Sequence, residues 1–293
     1  HAAGDLVATH ITGGLAGETR TIASRPVGVQ HIDVAFHATD RAMVVWSDNS
    51  RSAADVSAII QAQGGRAFDD IARTQRLRFS VWDGSAWSAP ATLSGVGSEG
   101  KPQLDGCPAG PRTLASGCPP GGEITAVWER DANQNLDAPD FEIWSSRWKP
   151  DGRGWSAPQR VSSTGSSSDM LPSVAYRNNV PVVVWARNPA GAFANLNNRQ
   201  VAYRFLDGSP QVIATALGTR IGWVDVGVDS AGLIVIAFTR AQDTQGFVGN
   251  RQALVTARST SCSAGTCSFL VTEPRDPNGR QYRVERRRVS FDE

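Results

Sequence analysis

The stretch Asp131–Glu142 holds the densest chemistry in the chain. Asp131, Asn133, Asn135, Asp137 and Glu142 set side-chain oxygens at positions 1, 3, 5, 7 and 12 of one loop, the register of an EF-hand Ca²⁺ loop. Hard oxygen donors at alternate positions can converge on one ion, and the seventh residue can add its carbonyl. Leu136 stands where such a loop needs Gly for its sharp turn, and Glu142 already opens an apolar run. The expectation is a single Ca²⁺ held by these residues, with a solvated polar loop as the alternative.

The cysteines fall into two close pairs, Cys107/Cys118 and Cys262/Cys267, each among Gly, Pro and Ser. His1, His10, His31 and His37 lie far away in sequence, so a zinc site lacks both spacing and partners. Two local disulfides are expected, Cys107–Cys118 and Cys262–Cys267. They imply an oxidising compartment, either extracellular or at the cell surface, with the periplasm as a variant. Two pairs of reduced thiols in a cytosolic protein are the alternative.

Nucleophiles lack a catalytic frame. Ser162–Asp169 has no Gly-x-Ser-x-Gly context and reads as a linker. His31 and His37 form no His-Glu-x-x-His motif. Asp33 and Asp225 sit at matching strand positions, where they either face a shared channel or simply repeat. No catalytic residue is assigned.

A repeat must position these groups. Asp83-Gly84-Ser85-Ala86-Trp87-Ser88-Ala89-Pro90 returns as Asp151-Gly152-Arg153-Gly154-Trp155-Ser156-Ala157-Pro158, and Asp207-Gly208-Ser209-Pro210 is a worn third copy. An Asp-Gly pair between apolar runs is a hairpin turn, because Gly supplies positive φ and Asp bonds its own backbone. Around these turns the chain reads as units of four strands, A to D, over 31–98, 101–164, 171–216 and 223–274. The B strands close on Trp46, Trp128, Trp185 and Phe238. Such repeats build the blades of an all-β β-propeller, here a single domain over 1–293. Terminal strands 5–24 and 281–291 would share a further blade and close a five-bladed ring. An open part of a larger propeller is the other solution. Two insertions break the regularity: Ala53–Ala62, read as a short helix in blade one, and the A–B loop of blade two that carries Cys107 and Cys118.

The Trp82-Asp83-Gly84-x-x-Trp87-Ser88-x-Pro90 hairpins and the Val44-Val45-Trp46 and Val183-Val184-Trp185 strands resemble bacterial sialidase-like (BNR, or Asp-box) β-propellers. Ser80-Val-Trp-Asp-Gly-Ser-Ala-Trp87 carries the Ser, Gly and Trp of an Asp box and places Asp one position late. The resemblance implies a propeller whose ligands or substrates are glycans. It does not extend to a sialidase site. Ser24-Arg25-Pro26 is a poor match to Arg-Ile-Pro, and Tyr occurs only at 176, 203 and 282. The expected member is therefore a non-catalytic binding or structural module for a glycan or protein, alone or with other domains or subunits of a surface assembly. A glycan-processing hydrolase or lyase is the alternative.

Composition excludes other classes. A net charge of +1 gives no electrostatic footprint for nucleic acid or an anionic membrane surface. No apolar run approaches the roughly 18 residues that cross a bilayer.

Overall fold

A computed structural model describes residues 4–12, 15–64, 67–107, 122–135, 139–162, 167–191, 199–213, 220–241, 251–263, 265–280 and 283–285. Among the described residues the fold is all-β apart from two short helices, and the chain divides into two compact units, His1–Ser162 and Ser163–Glu293.

In the first unit β1 (Leu6–Thr12) and β2 (Leu15–Ala23) form a two-stranded sheet among the described residues. Blade one follows as an antiparallel meander of β3 (Gln30–Ala38), β4 (Arg41–Asn49), β5 (Gln75–Trp82) and β6 (Ala91–Ser94). Blade two is β7 (Glu99–Cys107), β8 (Glu123–Asp131) and β9 (Phe141–Lys149). Its outer strand comes in two pieces, β10 (Gly154–Trp155) and β11 (Gln159–Arg160), both paired with β9.

The helix expected in the blade-one insertion is α1 (Ala53–Gln63). Its start is a capping box: the Ser52 hydroxyl accepts from the Asp55 amide, and the Asp55 carboxylate accepts from the Ser52 amide. A second helix, α2 (Ala67–Ala72), was not legible, being too short to show a helical period.

The repeated octapeptides are structural turns. Asp83 Oδ1 accepts the amides of Ser85 and Ala86, both at 2.8 Å, and Gly84 takes φ 98°. These amide donors, Ala86 first, hold the Asp83 carboxyl down to about 2. Ser80 Oγ donates to the Ser88 carbonyl at 2.7 Å, and Ser146 Oγ donates to the Ser156 carbonyl at 2.7 Å. The same serine tie thus fastens strand C to the returning chain in both blades.

Alternation along blade one separates two faces. Ala35, Met43, Val45 and Leu77 pack with Leu104, Ile124, Ala126 and Trp128 of blade two. A fully buried side chain of this size contributes about 1.5–3 kcal/mol. The backbones also meet: a Cβ on Gly106 would lie 2.0 Å from the Phe36 carbonyl oxygen, so only Gly fits there. On the opposite face Val44 and Trp46 pack with Ile22 of β2.

The second unit holds β12 (Ser168–Arg177), β13 (Val180–Asn188), β14 (Gln200–Phe205) and β15 (Gln211–Ile213) as one sheet. The other is β16 (Ile221–Val228), β17 (Ile234–Ala241), β18 (Arg251–Ser263) and β19 (Thr266–Thr272). All four B-strand aromatics, Trp46, Trp128, Trp185 and Phe238, are fully buried. Cys262 and Cys267 are joined by a disulfide across the β18–β19 hairpin. Cys107 is disulfide-bonded too, while Cys118 lies outside the described residues.

Within the terminal stretch 281–291, β20 (Arg283–Glu285) pairs with Arg251–Ala253 of β18, and the remainder lies outside the described residues. The reason is length, since β19 reaches back only to Thr256 and leaves the start of β18 with an open edge. The two ends of Ser162–Asp169 are anchored, while residues 163–166 lie outside the described residues. Ser162 is buried and accepts the Ile143 amide, and buried Asp169 accepts the Trp185 indole N–H at 2.8 Å.

Candidate functional site

The β1–β2 hairpin arches over the face of blade one that looks away from blade two. Rungs across β3, β4 and β5 align Phe36 with Ala42 and Trp82, and Val34 with Val44 and Ser80. The hairpin covers this face only in part: Trp46 is sealed, but Ile32, Val34 and Phe36 remain 49%, 53% and 58% exposed. Between hairpin and sheet lies a cleft of about 850 Å³. Its floor is Ile32, Val34, Phe36 and Val44, Trp82 and Trp87 stand at one end, and Glu18, Arg20 and Asp40 supply charge. That volume falls within the range of ligand sites.

Arg20 closes the arch. Its Nε and Nη2 donate to Glu18 Oε2 at 3.1 and 3.0 Å, and its Nη1 donates to the Ser85 carbonyl. Its guanidinium also lies 5.1 Å from the centre of the Trp82 ring, within reach of a cation–π contact. The Asp83 turn thus presents a carbonyl that tethers the hairpin. In the sequence Trp82, Trp87 and Val44 stood out only as repeat residues, and none of the lining was singled out as a binding position. The available signal was the run Ile32, Val34, Phe36, apolar at period two, whose exposure only the fold reveals.

A second polar cluster stands where strands A begin. His31, Lys101 and Leu171 each take a left-handed φ, of 51°, 48° and 57°, at a register break in β3, β7 and β12. Such bulges re-aim side chains. Lys101 Nζ donates to buried Glu129 at 3.0 Å. Burial first, and then the Lys101 charge, lowers the pKa of His31, with Glu129 opposing. Imidazole, ammonium and carboxylate thereby meet on the first unit. Deeper in blade two, Arg130 donates to buried Glu99 at 2.6 Å and stacks 4.0 Å from the Trp144 ring centre.

The proposed Ca²⁺ ligands are only partly brought together. Asp131 closes β8, where its Oδ1 accepts the Asp140 amide at 2.9 Å, and Asn133 Oδ1 accepts the Asn135 amide at 2.8 Å. Glu142 lies on the other face of the sheet: it pairs in register with Arg130, whereas Asp131 pairs with Phe141. Its carboxylate takes Arg160 Nη1 at 2.5 Å and the Trp144 indole N–H at 3.0 Å. Asp137 lies outside the described residues. Among the described residues no group of three or more His, Cys, Asp or Glu has a metal-binding arrangement. Asn49 and Asn188 end β4 and β13 as Asp131 ends β8, and each likewise accepts an amide two residues on. The position makes a turn in three blades. Burial raises the pKa of Asp131, and burial followed by the nearby Glu142 charge raises that of Asp140.

Asp33 and Asp225 do occupy matching places, opposite Val45 and Ala237. Asp33 Oδ2 accepts the Leu104 amide of blade two at 2.7 Å, and Asp225 accepts the Ser173 hydroxyl at 2.6 Å. Both brace neighbouring blades.

No protein-family model matches the chain, and no curated protein matches it. Solved structures do. An α-L-arabinofuranosidase from Fusarium graminearum superposes with a TM-score of 0.51 at 10% identity, over 86% of this chain and 68% of that one. A protein of unknown function from Dyadobacter fermentans gives 0.49 at 12% identity, over 79% and 65%. A Hadza microbial sialidase gives 0.49 at 11%, over 83% and 46%. The chain therefore spans less than two thirds of the last two proteins. At such identity the likeness is one of fold: the four-stranded sheets are blades of β-propeller type.

Proposed function

We propose that this chain is a secreted or cell-surface binding module, non-catalytic, that takes a glycan in the cleft between the β1–β2 hairpin and blade one. The observation that carries the reading is the lining. Trp82, Trp87 and Phe36 offer aromatic faces, and Glu18, Asp40 and Thr9 offer hydrogen-bonding groups beside them. Sugar rings are amphipathic, with C–H faces and hydroxyl edges, and a site with apolar walls and a few placed polar groups suits them. A solved structure of like fold, at 11% identity and a TM-score of 0.50, holds arabinobiose. What comes across from it is the fold, and the ligand class rests on the aromatic lining. The Cys262–Cys267 disulfide supports an oxidising compartment. Among the described residues no helix is long and apolar enough to cross a membrane.

The test is a glycan array followed by titration of the hits against the full chain and its Trp87→Ala variant. Saturable binding that the variant weakens at least tenfold is the expected result. Binding indifferent to Trp87 would remove the cleft from the proposal. Release of new sugar ends from a bound glycan would replace the module with an enzyme.

A further inference from the structure

We infer that the glycan taken by this cleft is neutral. The inference deepens the binding reading above and rests on it. Its motive is the charge inside the arch, where two carboxylates, Glu18 and Asp40, stand against one guanidinium, Arg20, with the imidazole of His10 also in the lining.

An acidic sugar, whether sialate, uronate or sulfate ester, is held by a cation, most specifically by the two parallel N–H groups of a guanidinium edge. Arg20 has its Nε–Nη2 edge occupied and three of its five N–H donors engaged. Nε and Nη2 both donate to Glu18 Oε2, Nη1 donates to the Ser85 carbonyl, and one ring face is turned to Trp82. Releasing it for a ligand would break the link from hairpin to turn and expose a bare Glu18 carboxylate to the incoming anion. Asp40 adds a second negative charge to the same lining. Like charges across a binding surface exclude wrong partners more strongly than they weaken right ones.

A neutral sugar meets none of these costs. Its C–H face lies on Phe36, Ile32 and Val34, which are exposed as the floor. Its hydroxyls donate to Asp40 and to the second oxygen of Glu18, both of which are acceptors only when ionised.

The experiment titrates the full chain with paired oligosaccharides of equal length, neutral in one arm and capped with sialic or uronic acid in the other. Wild type, Phe36→Ala and Glu18→Gln are compared. Phe36 is 58% exposed, so its loss leaves the fold intact. Neutral oligosaccharides should bind at least tenfold more tightly than acidic ones, and Phe36→Ala should weaken them about tenfold. Glu18→Gln should narrow the gap by freeing the Arg20 edge. Acidic oligosaccharides that bind as tightly as neutral ones, with dependence on Phe36, would overturn the inference and leave the cleft as a glycan site. Binding of neither class with dependence on Phe36 would overturn the cleft reading itself, and the inference with it.

Discussion

Blade one has two faces made by the same strands, and they have met different fates. The face bearing Ala35, Met43, Val45 and Leu77 is sealed by a whole second blade, with Gly106 letting the backbones touch. The face bearing Ile32, Val34 and Phe36 is roofed by the two-stranded sheet of β1 and β2, and it keeps a cleft. Both faces are apolar along the sequence. The packed sheet buries Ala35, Met43, Val45 and Leu77, whereas a hairpin anchored at Ile22 and Arg20 leaves Ile32, Val34 and Phe36 about half exposed. The proposed site lies on the less complete side because an unsatisfied apolar surface is what a ligand can still bury.

The comparison can be broken by core substitution. Met43→Ala on the sealed face should cost about 2–5 kcal/mol in urea unfolding, the range for emptying a close-packed site. Phe36→Ala on the cleft face should change stability by no more than about 0.5 kcal/mol, as exposed positions do. Equal costs would mean that the cleft face is as tightly packed as its opposite.

Gly106→Ala probes the backbone contact between blades. The added methyl meets the Phe36 carbonyl, and overpacking of this kind costs about 1–3 kcal/mol. A neutral result in thermal melting would show that β3 and β7 separate easily.

Arg20→Ala should do little to global stability, because exposed ion pairs contribute about 0–1 kcal/mol. Its expected effect is local: proteolysis within residues 5–24 should speed up several-fold while the rest of the chain resists. An unchanged cleavage rate would remove Arg20 as the tether.

The smallest effect concerns acid. Asp83 ionises in the fold at about 2, below its ordinary value of 3.8, because the turn amides favour its charged form. Its stabilising contribution is complete above the ordinary value and fades as pH falls through the folded one. Asp83→Asn should therefore flatten the fall in melting temperature between about pH 4 and pH 2, with little change at neutral pH. A variant that follows the wild-type acid profile would show that the turn does not depend on the charge.

Much of this was legible. Local chemistry sets the Asp-Gly hairpins, the capped helix at Ser52 and the Cys262–Cys267 closure, and local chemistry is what a sequence displays. Turns and apolar runs were enough to anticipate antiparallel four-stranded sheets whose second strands bury Trp46, Trp128, Trp185 and Phe238. The five-oxygen spacing from Asp131 to Glu142 counts residues along a loop, and Asp137 within it lies outside the described residues. Once β8 and β9 pair, strand parity sends Asp131 and Glu142 to opposite faces.

The sequence by itself determined the strands, their turns and which residues alternate together, since each depends on neighbours a few positions apart. Tertiary structure alone decided which apolar face of blade one was sealed and which was left as a cleft. It also decided that β20 pairs with β18 and that Arg20 reaches Ser85. Those outcomes depend on competition between distant partners for the same open edge or the same apolar surface. No local pattern records which partner arrives.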